Sequence, residues 1–258
     1  MMNFKLPFVP ERPQKQRESG ITMVMDKGLS LKESENMIEA SSEYIDFVKF
    51  GFGTSMLCNQ LHDKIKAYKD ADIRPYFGGT LFEAFVIRNM FKEYLRYLDV
   101  CEITTVEVSD GSMYIPHEKK CEYIRELSKD FYVISEVGSK DASVNFSAEQ
   151  WKEMMQKELD AGAKKVIAEA RESGNVGIYK STGSADEDLI GYILNHISPE
   201  KIIWEAPLKP QVVWFIKKIG PNVNLGNIAP NEVISTETLR LGLRGDTFLD
   251  FLPEEFVK

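Results

Sequence analysis

"FYVISEVGSKDASVNFSAEQWKEMMQKELDAGAKKVIAEAR" fills residues 131–171 and contains one complete unit of the fold. Residues 131–138 are an apolar, β-branched and aromatic run of strand length. Ser147 then opens a segment of helical periodicity, so a helix is predicted over 147–162. A second strand run, "KKVIAEAR", follows at 164–171. Two strands joined through a helix are parallel neighbours in a sheet.

The same unit repeats along the chain. Further strand candidates are "ITMVMD" (21–26), "YIDFVKFG" (44–51), "IRPYFGG" (73–79), "CEITTVEVSD" (101–110), "KIIWEAP" (201–207) and "NVNLGNI" (222–228). Helices are predicted near 30–42, 55–71, 81–98, 117–129, 185–197, 208–219 and 231–242, with Ser30 as a start signal and Pro199 closing the sixth helix. Eight strands alternating with eight helices imply a single (β/α)8 TIM barrel over residues 20–258. An open doubly wound sheet is the competing architecture. It usually carries a Gly-rich phosphate turn after its first strand, and "MVMDKGLS" does not match GxGxxG. Residues 1–19, rich in Pro and charge, read as a short, loosely held N-terminal arm.

Composition narrows the function. With 258 residues and 43% hydrophobic content the chain can bury a large core. A formal charge of −8 argues against a phosphate-backbone binder, so no nucleic-acid partner is expected. Cys58, Cys101 and Cys121 are odd in number and widely spaced, which suits reduced thiols in a cytoplasm. The first twenty residues hold no apolar core of a signal peptide, and no run approaches a membrane span. His62, His117 and His196 fall on or at the start of outer helices and read as surface or capping residues. No Ser or Cys sits in a nucleophile elbow.

In such barrels the active site lies at the carboxyl ends of the strands. Here those ends carry Asp26 and Lys27, Lys49, Glu83, Glu107 with Ser109 and Asp110, Glu136 with Lys140, Glu169 with Arg171, Glu205, and Asn224 with Asn227. Side-chain alternation puts Glu107 and Ser109 on one face, and likewise Glu169 and Arg171. One strand-end charge is ordinary. A whole ring of them is costly to bury without a ligand or partner. Several glutamates at one mouth, with few histidines, form the donor set a hard cation such as Mg²⁺ prefers. Lys49, Lys140 and Arg171 would hold an anionic substrate. The stretch "NLGNIAPNEVIS" (224–235), with Gly226 and Asn227, offers small residues and exposed amides before a helix N-terminus, a plausible phosphate cradle. Read from residues alone, a Schiff-base aldolase also remains open, with Lys49 as its amine.

Taken in order, "MDKGLS", "YIDFVKFGFGTS", "GGTLFE", "VEVSDGS", "SEVGSK", "AEARESG", "WEAP", "VNLGNIA" and "ETLRLGLRGDTF" resemble the successive motifs of the phosphosulfolactate synthase family over residues 20–248. The resemblance implies a Mg²⁺-dependent barrel enzyme that adds sulfite to phosphoenolpyruvate, giving (2R)-phospho-3-sulfolactate on a route to coenzyme M or to sulfolactate. It implies Lys140 as the general acid, with Lys49 as the next candidate, and Glu107, Glu136 and Glu169 as the metal site or its support. Asp26, Lys27, Ser109, Arg171, Glu205, Gly226, Asn227 and Arg244 are expected to contact substrate. It also implies a cytoplasmic homo-oligomer, a trimer being one form, with small-molecule partners only. Plant heat-stress proteins resemble the family too, so a non-catalytic member is the other reading.

Overall fold

A computed structural model describes residues 4–139, 146–170 and 173–257. Eight parallel strands close into a barrel in sequence order. They are β1 (Thr22–Asp26), β2 (Phe47–Phe50), β3 (Arg74–Phe77), β4 (Thr105–Val108), β5 (Tyr132–Val137), β6 (Lys165–Ala168), β7 (Ile202–Glu205) and β8 (Leu225–Ile228). Around them lie α1 (Leu31–Ser41), α2 (Leu61–Asp70), α3 (Gly79–Val86), α4 (Phe91–Val100), α5 (His117–Leu127), α6 (Ala148–Asp160), α7 (Glu187–Leu194), α8 (Lys209–Ile219) and α9 (Val233–Arg240). The predicted barrel is the observed one.

The local signals act as read. Ser30 and Ser147 each accept from the backbone N–H three residues on, and Glu33 and Gln150 return the bond, completing two capping boxes. One boundary needs correction. The helix predicted over 81–98 is two, α3 and α4, because Asn89 adopts a left-handed φ of 56° between them. Asn tolerates that conformation better than most residues, so it can end a helix without Gly or Pro. The helix predicted from 55 also starts later, at Leu61, after a tight turn in which Phe52 and Gly53 take positive φ.

Alternation along the strands sorts the barrel into layers. Outward residues such as Val48, Phe77, Val106, Val133, Val166 and Trp204 pack in the large core under the helices. Inward, Met23, Phe47, Tyr76, Ile134, Ile167 and Ile203 form a separate apolar layer across the barrel's middle. Two residues further along their strands, Lys49, Glu136, Glu169 and Glu205 occupy the next inward positions, each nearly inaccessible. The mouth is therefore charged because in these four strands the inward position at or beside the carboxyl end is ionisable where the one before it is apolar.

The opposite end is sealed by the N-terminal arm, which is tied down and not loosely held. Arg12 Nε lies 2.8 Å from Glu237 Oε1, Arg17 Nε lies 3.0 Å from Asp46 Oδ1, and Lys165 Nζ lies 2.5 Å from Glu18 Oε2. Beneath them the fully buried Arg240 donates to the carbonyls of Pro221 (2.7 Å), Val223 (2.6 Å) and Ile21 (3.1 Å). Those carbonyls belong to the approaches to β8 and β1, the seam at which the barrel closes.

Removing Arg240 takes the side-chain donor from the Val223 carbonyl in a place water cannot easily reach. It also takes one of two donors from Ile21, which keeps Leu225 N–H, and from Pro221, which keeps Arg12. Arg240→Ala should lower the free energy of unfolding by about 3 kcal/mol or more, measured by denaturant titration. Activity per folded molecule should stay near wild type, since the mouth lies at the other end of the barrel.

Candidate active site

The inward ring at the carboxyl end encloses a cavity of about 400 Å³. Its walls include Lys49, Glu136, Glu169 and Glu205, with Thr80 from the start of α3, Ser112 from the loop after β4 and Asn227 from β8. At its floor the Lys49 ammonium lies 3.0 Å from Glu107 Oε1, 3.2 Å from Glu136 Oε2 and 3.4 Å from Glu205 Oε1. One oxygen each from Glu136, Glu169 and Glu205 lies within 4.8 Å of the others.

Backbone donors fix two of these carboxylates. Gly79 N–H donates to Glu107 Oε1 at 2.5 Å, and Ala170 N–H donates to Glu205 Oε2 at 2.8 Å. Only glycine allows the first of these. A Cβ at residue 79 would stand 2.9 Å from Glu107 Oε1 and closer still to Ser109. Glu83, on α3, accepts from the Ser109 hydroxyl and from Ser112 N–H at 2.8 Å, buckling the loop after β4 to the loop after β3.

Burial opposes charging Lys49, but Glu107, Glu136 and Glu205 outweigh it and hold its pKa well above the usual lysine value. Lys49 is thus a permanent ammonium. Against it stand four buried carboxylates, Glu107, Glu136, Glu169 and Glu205. Burial pushes Glu205 up to about 7, partly offset by Lys49 and reinforced by Glu136. Burial also raises Glu107. Its Oε2 is buried without a hydrogen-bond partner among the described residues. Among the described residues Lys49 is the ammonium that faces these carboxylates, and burial holds Glu107 and Glu205 partly in the protonated form. An all-oxygen cluster of this spacing suits a hard divalent ion.

Several expected site residues do meet here: Lys49, Glu136, Glu169, Glu205 and Asn227 all line the cavity. Two carboxylates exchange places. Glu205, expected as a substrate contact, joins Glu136 and Glu169 in the cation-type cluster, while Glu107 is turned to Lys49 and Gly79. Asp26 requires correction as a substrate contact. Its carboxylate is fully buried against Lys64 Nζ (2.6 Å) and the Tyr68 hydroxyl (3.0 Å), and it accepts from the N–H groups of Gly28 and Leu29. Lys27 is exposed and Ser109 serves Glu83, and neither lines the cavity. Gly226 is packed lower, where a Cβ would stand 2.6 Å from Met23 Cε. Arg244 lies at a separate pocket of about 160 Å³ beside Lys209, with Nε 3.7 Å from Asp246 Oδ2. Lys140 and Arg171 lie outside the described residues. Of the histidines, His117 is more than a cap, since Nε2 meets Glu158 Oε1 at 3.1 Å.

Sequence reasoning passed over Thr80 and Ser112. Both lie in motifs already noted, "GGTLFE" and "VEVSDGS", but a single hydroxyl in a helix's first turn or in a loop gives no signal of its own. Asn227 is the clearer case. Its φ of 58° is unusual for a residue other than glycine, and its Oδ1 is buried without a hydrogen-bond partner among the described residues. Backbone strain of this kind tends to gather at ligand sites.

Comparison with known proteins agrees with this geometry. A family model described as (2R)-phospho-3-sulfolactate synthase matches residues 10–246. The phosphosulfolactate synthase of Bacillus subtilis is 44% identical over 251 residues, covering 96% of this chain and 99% of that one. Protein HEAT-STRESS-ASSOCIATED 32 of Arabidopsis thaliana is 22% identical, covering 89% of this chain and 88% of its own. Among solved structures, a 3-hexulose-6-phosphate synthase superposes with a TM-score of 0.54 at 14% identity, covering 85% of this chain and 98% of that one, a likeness of fold alone.

The raised Glu205 pKa makes stability depend on pH in a definite direction. Between the ordinary glutamate value and about 7, the native state holds more protons here than the unfolded chain does. The Glu205 contribution is therefore lost as pH rises through that window. Metal-free protein should melt a few degrees higher at pH 5.5 than at pH 7.5 through this group. Glu205→Gln should flatten that difference in paired calorimetric scans. An unchanged slope would mean the carboxyl is not the titrating group.

Proposed function

The chain belongs to the (2R)-phospho-3-sulfolactate synthase family, and from that premise we propose that it adds sulfite to phosphoenolpyruvate in a Mg²⁺-dependent reaction. The observation that carries this reading is the three-glutamate cluster beside a permanently charged lysine, inside a cavity of small-molecule size.

Glu136, Glu169 and Glu205 would hold the cation. When bound, Mg²⁺ would supply a Lewis acid for substrate oxygens. The chain's own groups do the rest. Sulfite sulfur forms a bond to C3 of phosphoenolpyruvate, the C2–C3 π pair moves toward the substrate carboxylate, and an ene-diolate results. The C–O–P linkage stays intact throughout. Lys49 offers a fixed positive charge close to that developing anion, and its geometry is set before substrate arrives. A proton must then reach C2 from one face to give the R centre. Lys140 is our choice for that donor, on the family resemblance of "SEVGSK". Arg171, Asn227 and the hydroxyls of Thr80 and Ser112 would hold the phosphate and exclude water.

The Schiff-base alternative loses its amine. An aldolase nucleophile needs a free lone pair near neutral pH, and the carboxylates around Lys49 keep it protonated. A non-catalytic role fits poorly with four carboxylates kept buried at the mouth, an arrangement that costs stability and serves a ligand. We place the enzyme in the cytoplasm as a homo-oligomer feeding coenzyme M or sulfolactate formation. No helix among the described residues is long and apolar enough to cross a membrane.

Purified protein should consume phosphoenolpyruvate only with sulfite and Mg²⁺ both present, and without releasing phosphate. Stoichiometric inorganic phosphate would sink the assignment. Lys140→Ala should then reduce kcat by about 10²–10⁴-fold, the usual worth of a general acid, with a smaller change in KM and little change in Tm. In deuterated solvent the wild type should place one deuterium at C2. Near-normal kcat in the variant would remove Lys140 from that role.

A further inference from the structure

Behind the mouth, on the outer side of the barrel, lies a second buried charge cluster that the reaction itself does not use. Lys120, on α5, is 1% exposed. Its ammonium lies 2.8 Å from Asp110 Oδ1, 2.8 Å from Glu158 Oε1 on α6, and donates to the main-chain carbonyl of Glu136 at 2.6 Å. Burial works against its charge, but Glu158 and Asp110 outweigh burial and keep it protonated. His117 shares the same Glu158 oxygen.

The strand pattern shows why a lysine stands there. Along β5, alternate peptide groups face alternate neighbours. Val133 and Val137 give their carbonyls to Lys164 and Glu169 on the β6 side, while Tyr132 N–H takes Thr104 on the β4 side. The Glu136 carbonyl therefore faces β4. That strand pairs with β5 only as far as Val108 opposite Ser135, and the chain then leaves through Ser109 and Asp110. Lys120 supplies a donor to the Glu136 carbonyl where the ladder stops, and its charge draws Asp110 to the same point. One ammonium thus ties together the ends of β4 and β5 and the flank of α6.

Stability alone would not call for this arrangement. A buried ion pair is commonly no more stabilising than apolar residues of the same volume. Direction is another matter, because a carboxylate that ligates a cation must be aimed to within a fraction of an ångström.

We propose that Lys120 is a positioning residue for the cation site: by pinning the Glu136 main chain from behind, it aims the Glu136 carboxylate at Glu169 and Glu205. This rests on reading those three glutamates as the cation site. Residues that support metal ligands in this way are typically worth 10–100-fold in affinity.

The test is Mn²⁺ binding to the full chain, followed by electron paramagnetic resonance and independent of turnover. Lys120→Met alone strands the buried Glu158 carboxylate, and the half-buried Asp110 with it, and can fail to fold. The informative variant is therefore Lys120→Met/Glu158→Leu, which replaces the deeper ion pair with apolar atoms. Lys165→Met is the control, since Lys165 is equally buried and ion-paired but lies at the closed end of the barrel. The expected result is Mn²⁺ binding about 10–100-fold weaker in the double variant, with affinity in the control unchanged. Wild-type affinity in a folded double variant would overturn the positioning role and leave the cation site standing. Equal losses in both variants would also overturn it, as general loosening. Absence of Mn²⁺ binding by the wild type would remove the cation site, and this inference with it.

Discussion

The Lys49 ammonium, held among Glu107, Glu136 and Glu205, is the interaction on which the mouth of this barrel depends. Four strands send these side chains to one point, and without a central cation their carboxylates would repel one another across a few ångströms of low-dielectric space. Lys49 relieves part of that repulsion, and burial lowers it further by raising the pKa of Glu107 and Glu205. The same surroundings that keep Lys49 charged remove it from nucleophilic chemistry, so one electrostatic fact both supports one reaction class and weakens another.

The two ends of the barrel solve different problems with the same residue types. At the closed end, Lys165, Arg240 and the arm's Arg12 and Arg17 are matched to carboxylates and carbonyls, and the result is a seal. At the open end Lys49 and the buried Glu136, Glu169 and Glu205 line a cavity instead. Between them lies the apolar layer of Phe47, Tyr76, Ile134, Ile167 and Ile203, which isolates the two charged regions from each other. Loops at the mouth are then braced from outside the barrel. Glu83 joins the loops after β3 and β4, and Lys120 joins the ends of β4 and β5.

The fold was legible because its signal is periodic. Each βα unit carries its own apolar strand, its own helix period and often its own cap, as Ser30 and Ser147 show, and repetition makes the sum unambiguous. The break at Asn89 was not legible, since a left-handed residue other than glycine announces itself only in its φ angle. Among site residues, Glu136, Glu169, Glu205 and Lys49 stood out because an ionisable group at the end of an apolar strand is costly wherever the strand goes. Their division of labour did not show. Glu107 and Glu205 occupy equivalent places in their strands, and nothing in either segment tells which faces the cluster and which faces Lys49.

By itself, then, the amino-acid sequence determined the barrel, the end at which chemistry is located and the residue types gathered there, because hydrophobic alternation and strand-end charge are local properties of the chain. Tertiary structure alone decided the pairings. Asp26 looked like any other strand-end carboxylate, yet Lys64 and Tyr68 approach it from α2 and take it out of the cavity. Lys120 has no signal of its own in the predicted helix 117–129, yet it is buried where β4 parts from β5. Electrostatic energy depends on distances between side chains that are far apart in the chain, and those distances exist only once the barrel has closed.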